Sequence, residues 1–161
     1  MTRAIITYFN LILAALLAGT MFGIWIGYNP IDLSASTYVE QQQNMIRQLN
    51  VLMPLLGLVT IVITLISAFL QKQIKMVFIS LLIAATLLVV SGLITRFGNQ
   101  PINDMVITWS INSPPSGWIE LRDKWWALHI IRTILVLFAL SIIIITAIRN
   151  NKMVTTTNTR L

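Results

Sequence analysis

The sequence predicts an all-α membrane protein, a four-helix bundle with up-down-up-down topology. Three observations predict it. Hydrophobic residues fill 57% of the 161 positions and charged residues only 10%. Four apolar stretches each approach the ~20 residues that cross a hydrocarbon core. The basic residues without acidic neighbours fall on one set of connections. A soluble domain with so few charges could not cover its apolar side chains, whereas lipid removes that demand.

The first stretch covers residues 4–28 and follows Arg3. It competes with a cleaved signal peptide. However, the run is about twice an ordinary signal core, and no small-x-small cleavage site follows it. Ala15, Gly19, Gly23 and Gly27 fall four apart on it. Small residues at that spacing let another backbone approach closely. Packing inside the bundle is the expected use, and a homo-oligomer contact through Gly19, Gly23 and Gly27 is the alternative.

The second stretch covers residues 51–70. Thr37-x-x-Glu40 reads as a capping box, so its helix begins near Tyr38 and runs to Leu70 with a kink at Pro54. Gln71–Gln73 is a tight turn into the third stretch, residues 74–95. That helix ends at Phe97 with Gly98 as a left-handed cap. Residues 99–109 hold a short helix at the membrane surface. Pro114-Pro115-Ser116 stops the loop, and a helix from near Gly117 runs through Trp126 into the fourth stretch, residues 127–148. Residues 1–150 thus form one transmembrane domain, and 151–161 form a disordered cytoplasmic tail.

Charge sets the orientation. Arg3, Lys72, Lys75, Arg149, Lys152 and Arg160 lie on one side with no acid among them. The other side carries five basic and all five acidic residues. The positive-inside rule makes the first side cytoplasmic, with both termini inside the cell membrane. The net charge of +6 then faces anionic lipid and needs no nucleic acid. The absence of cysteine excludes disulfides and thiolate chemistry, and the single histidine excludes multi-histidine metal or di-haem sites within the chain.

The polar residues of the outer half carry the functional signal. Arg122, Trp125, His129 and Arg132 follow spacings of three, four and three, which makes one stripe on the fourth helix. Ionisable side chains inside an apolar border are costly and usually face the bundle interior. Glu40, Asn44 and Arg47 form a second stripe, Arg96 closes the third helix, and Trp109 and Trp126 lie on the same side. Bland uses exist for each. Tryptophans form interfacial belts, arginines snorkel, and Glu40 caps its helix or pairs with Arg47. Their convergence points to a site for a flat, acidic, lipophilic molecule.

The run Asn99-x-Pro101-Ile102-Asn103, Trp109, Trp118-x-x-Leu121-Arg122-x-x-Trp125-x-x-x-His129-x-x-Arg132 resembles the anthrone-oxygenase-like family of small four-helix membrane proteins. The segment from Tyr38 to Pro54 is also similar to the family's second helix. Many bacterial members are known only as a domain of unknown function. The resemblance implies oxidation of an anthrone to an anthraquinone with no cofactor and no metal. It would make His129 the base that removes the acidic C–H proton. Arg132 and Arg122 would stabilise the enolate oxygen. Trp125 and Trp126 would hold the rings, and Asn103 would orient an oxygen.

The leading reading is a membrane oxidoreductase with an outer-side pocket for an aromatic or quinone-like molecule. One rival is a non-catalytic protein that packs with a partner or with itself. Another is a small carrier of lipophilic solutes, for which the inner half offers only Thr64, Ser67, Ser80 and Ser91 as a polar route.

The orientation has a direct test in this cysteine-free chain. A cysteine placed at Lys75 will resist a membrane-impermeant thiol reagent in intact cells and react after permeabilisation.

Overall fold

The computed structural model describes residues 2–158, with side chains described for residues 2–149. Its helices are α1 (Thr2–Gly27), α2 (Ala35–Leu49), α3 (Leu52–Leu70), α4 (Lys75–Ile94), α5 (Gln100–Val106) and α6 (Trp118–Asn158). Four segments are long and apolar enough to cross a membrane: Thr2–Asp32, Leu52–Leu70, Lys75–Val106 and Trp118–Arg149.

The four long helices pack as a ring, in which α1 touches α3 and α6, and α4 touches α3 and α6. Leu17, Met21, Leu81, Leu88, Val136 and Ile143 fill the centre. Polar contacts fix the register. Arg3 Nε donates to Gln71 Oε1 at 3.1 Å, and the Thr64 hydroxyl donates to Asn10 Oδ1 at 2.7 Å. Both pairs set the start of α1 against the end of α3. At the opposite end the Asn99 amide donates to the Trp125 carbonyl at 3.0 Å, which pins α4 to α6.

The second helix starts earlier than expected and is interrupted on its way to the expected end at Leu70. Ser34 is its cap and accepts from the Thr37 amide at 3.3 Å, so the helix begins at Ala35. Thr37 and Glu40 lie within it, and Glu40 is exposed. Ahead of Pro54 the helix is interrupted, with α2 ending at Leu49, α3 starting at Leu52, and Asn50 and Val51 between them still in helical backbone. Pro54 has no N–H to give to the carbonyl four residues back, that of Asn50. The Asn50 carbonyl takes the Gln100 side-chain amide instead, at 3.3 Å.

The third helix does not end at Phe97. One wide, π-type turn, Thr95–Asn99, carries α4 directly into α5. Gly98 has helical backbone rather than the left-handed cap conformation, because positive φ occurs among the described residues only at Gly117, at 87°. Space, not torsion, requires the glycine. A Cβ there would lie 2.8 Å from Leu128 Cδ1 on α6. Gly117 immediately precedes α6, close to the start read from the sequence. The tail expected above falls on the end of α6 and on residues 159–161, which lie outside the described residues.

The small-residue face of α1 does not pack inside the bundle. Ala15, Gly19, Gly23 and Gly27 are exposed, and a Cβ at any of the three glycines meets nothing within 4 Å. The ring is closed by Ala14, Leu17, Ala18 and Met21 on the other face.

Gly23→Leu will therefore leave the melting of the monomer in detergent unchanged, within about 0.5 kcal/mol. Thr64→Val will behave differently. It strips a fully buried Asn10 of its partner and costs about 1–3 kcal/mol, read from the same melting curves.

Candidate functional site

Helix α6 presents its polar stripe inward. His129 is 0% exposed and lies flat against Trp125, with ring centroids 5.3 Å apart and planes 1° apart. Trp126 stacks on it from another position at 5.6 Å. The histidine Nε2 is 3.1 Å from the Met21 carbonyl of α1, and its Nδ1 is 3.0 Å from Arg132 Nη2. A carbonyl only accepts, so Nε2 carries the proton and Nδ1 is the acceptor. The tautomer follows from the two partners.

Arg132 is the centre of the arrangement. Its Nη2 donates to His129, and its Nη1 donates to Thr95 Oγ1 at 3.0 Å. Its Nε is buried without a hydrogen-bond partner among the described residues. No carboxylate meets it, since the salt bridge found among the described residues joins Arg122 to Asp123. Thr95 passes its own proton to the Ser91 carbonyl at 2.9 Å, so its oxygen is left to accept from Arg132. Thr95 opens the π-type turn, a feature that often marks functional positions in helices.

Arg132 lines two adjoining cavities. The larger encloses about 470 Å³ between α3 and α4, with Leu88 and Val136 among its inner walls and Arg96 at its rim. The smaller, about 50 Å³, lies beneath α2 and α5 and includes Gln42, Asn103 and Trp125. Met21, Asn50, Met53, Pro54, Thr95 and Gln100 face both, as does Arg132. An amide network forms the polar end. Asn103 Oδ1 accepts from Trp125 Nε1 at 2.8 Å, and its Nδ2 donates to Asn50 Oδ1 at 2.9 Å. Gln100 donates to the same Asn50 oxygen at 3.0 Å. Tyr28 reaches the network through Gln42 Oε1 at 3.1 Å. The arrangement offers one guanidinium with no counter-ion, a row of fixed amides and an apolar chamber beside them.

The residues picked from sequence divide accordingly. Arg132, Arg96, Trp125 and Asn103 line the cavities. His129 stands behind Arg132 and lines neither, with both nitrogens engaged, so the expected reach of a free base toward a ligand is not present. Trp126 stacks behind it, 6.3 Å from Tyr28. Arg122 is elsewhere. It pairs with Asp123 at 2.8 Å, donates to the Ile31 carbonyl at 3.3 Å and sits 5.0 Å over Trp118. That contact locks the start of α6 to the turn after α1. Tyr38 stacks on Trp118 nearby, and burial pushes its phenol above the ordinary range. Glu40, Asn44 and Arg47 face outward, with Arg47 bonded to Asn44 at 3.2 Å. Trp109 lines neither cavity, although its carbonyl takes the Gln43 side chain at 2.9 Å.

Sequence reasoning missed Thr95, Gln100, Asn50 and Gln42. A weak signal existed for Gln42, since Tyr38, Gln42 and Ile46 recur every fourth residue on the buried face of α2.

The sequence pattern of the anthrone oxygenase family matches residues 43–152, about two thirds of the chain. The chain belongs to the anthrone oxygenase family. Arg132, Thr95, Asn50, Gln100, Asn103 and Trp125 all fall inside the matched segment, so the cavity is built mostly from family sequence. Met21 and Gln42 fall outside it. No curated protein and no solved structure matches the chain.

Arg132→Met will test the fold of this centre. Removing the charge relieves a buried, unpaired cation but orphans Thr95 and His129. Stability in detergent will therefore change by no more than about 2 kcal/mol in either direction.

Proposed function

We propose that this membrane protein binds a flat, lipophilic aromatic ketone or phenol in the Arg132 cavity and oxidises it with dioxygen. The observation that carries the reading is the Arg132 guanidinium, which has no acidic partner among the described residues, leaves its Nε without a hydrogen-bond partner and belongs to the wall of an apolar chamber. A cation at that depth costs about 2.5–3.5 kcal/mol on insertion scales. An enolate or phenolate oxygen would offset the cost with charge-assisted hydrogen bonds. Membership in the anthrone oxygenase family supports an anthrone as the substrate class.

The chemistry needs little from the protein. An anthrone bound by its oxygen loses a benzylic proton to a water held at the amide-lined polar end by Asn50, Gln100 and Asn103, because the cation stabilises the enolate over the ketone. The anion passes one electron to dioxygen. The resulting radical and superoxide combine into a hydroperoxide, and loss of water leaves the quinone. One dioxygen is consumed and one water is released. In this scheme Arg132 holds the oxygen, Trp125 and Asn103 bound the polar end, and Arg96 adds a second cation at the rim. His129 acts through Arg132, since its Nδ1 lone pair aims the guanidinium. The charge pattern supports placing this site in the outer half of the cell membrane, with both termini cytoplasmic.

The test uses purified protein in lipid nanodiscs, dithranol (a dihydroxyanthrone), and oxygen uptake. Wild type will bind and oxidise it. Arg132→Met will lose about ten- to hundredfold in affinity, the value of one or two charge-assisted hydrogen bonds. Arg132→Lys will recover part of the loss, because a point charge does not replace a planar fork. Equal binding by Arg132→Met would overturn the reading.

His129 has its own test. A positioning residue is rescued by glutamine, which keeps an acceptor, and not by leucine. His129→Gln will retain about a third or more of the turnover while His129→Leu loses about tenfold, mostly through KM. Loss of kcat in both, at unchanged KM, would restore histidine as the base.

A further inference from the structure

Helix glycines need a reason, because glycine costs about 1 kcal/mol relative to alanine in a helix interior. The usual reason in a membrane is close backbone approach. Gly98 has a related reason, since a Cβ there would press on the Leu128 side chain of α6. Gly57 and Gly92 do not, because a Cβ at either would meet nothing within 4 Å. They share another property. Gly57 on α3 and Gly92 on α4 both line the larger cavity.

That cavity has a direction. Its inner surface is formed by the buried Leu17, Met21, Leu88, Ser91 and Val136, with the half-buried Thr95 and Arg132 beside them. Its rim is exposed and consists of Val51, Pro54 and Leu58 on the α3 side, with Gly92 and Arg96 on the other. Leu58 is 59% exposed. Gly57, Leu58 and Gly92 all lie inside the segments long and apolar enough to cross a membrane. The exposed rim therefore runs along the flanks of two helices that can cross a membrane, from Gly92 and Leu58 up to Val51 and Arg96. A volume of about 470 Å³ is within the range of pockets that enclose small organic ligands.

We infer that the ligand reaches Arg132 from the bilayer through the gap between α3 and α4, and that Gly57 and Gly92 set the width of the ligand admitted. The inference rests on the proposed binding of a lipophilic aromatic at Arg132. It assigns the two glycines a specificity role, in which their missing side chains keep the mouth wide enough for fused rings. A Cβ at either position meets no protein atom within 4 Å, so a leucine there has open space to enter, and that space is the ligand's.

The experiment compares Gly57→Leu, Gly92→Leu and Arg132→Met in nanodiscs with two probes. Dithranol has three fused rings, and tert-butylhydroquinone has one. The glycine variants will melt no lower than wild type. They will bind dithranol at least about tenfold more weakly, as expected when a side chain fills part of a preformed pocket, and the one-ring probe within about twofold of wild type. Arg132→Met will lose both probes. Should a leucine variant fail to fold, the double alanine variant Gly57→Ala/Gly92→Ala gives a smaller shift of the same kind. Unchanged dithranol binding in the glycine variants, with binding still lost in Arg132→Met, would overturn the portal and leave the site. Equal loss of both probes in the glycine variants would also overturn it. Binding that survives in Arg132→Met would overturn the site itself.

Discussion

A guanidinium held inside an apolar bundle without a carboxylate is the constraint around which this structure is arranged. Lipid offers Arg132 neither water nor a counter-ion, so every hydrogen bond must come from the protein. Thr95 supplies one oxygen because the chain widens at a π-type turn there. His129 supplies a lone pair because the Met21 carbonyl has claimed its other nitrogen. Three helices are thereby committed to one side chain. Removing any of these groups leaves a polar atom stranded in a medium that cannot rescue it.

A second constraint meets the first at Asn50. Pro54 withholds the amide that would have satisfied the Asn50 carbonyl, and the chain breaks between α2 and α3. Gln100 fills the vacancy from α5, and both Gln100 and Asn103 donate to the Asn50 side-chain oxygen beside it. The amide-rich end of the cavity is thus a by-product of one proline in the first turn of α3.

The spans were legible because apolar length is a one-dimensional property, and the stripe on α6 because helical spacing is nearly so. Arg132 and Trp125 could be picked for that reason, and Asn103 through the family resemblance. The rest depended on partners far along the chain. Thr95, Gln100 and Asn50 are uncharged residues at helix ends, where such residues are ordinary, and only the fold brings them together. Ser34 and Thr37 are equally good caps in sequence, and tertiary packing chose Ser34. A kink and a break at Pro54 have the same sequence signature. Glu40 and Arg47 show the opposite error, since charge alone drew them into a pocket that the buried face of α2 fills with Gln42 and Ile46. His129 was legible as an inward-facing residue, but spacing could not reveal that the Met21 carbonyl and Arg132 engage its two nitrogens.

The contact between Met21 and His129 joins positions 108 residues apart, on the first and last long helices. A chain emerging from the ribosome inserts α1, α3 and α4 well before α6 is made. Until then Met21, Thr95 and Asn99 have no cross-helix partners from α6, and the cavity lacks its cation. The nascent bundle is therefore an unfinished ring whose groove must be shielded by lipid or by the insertion machinery. Assembly of the site is coupled to completion of the chain, and a prematurely terminated product would carry the mouth of the pocket without its chemistry.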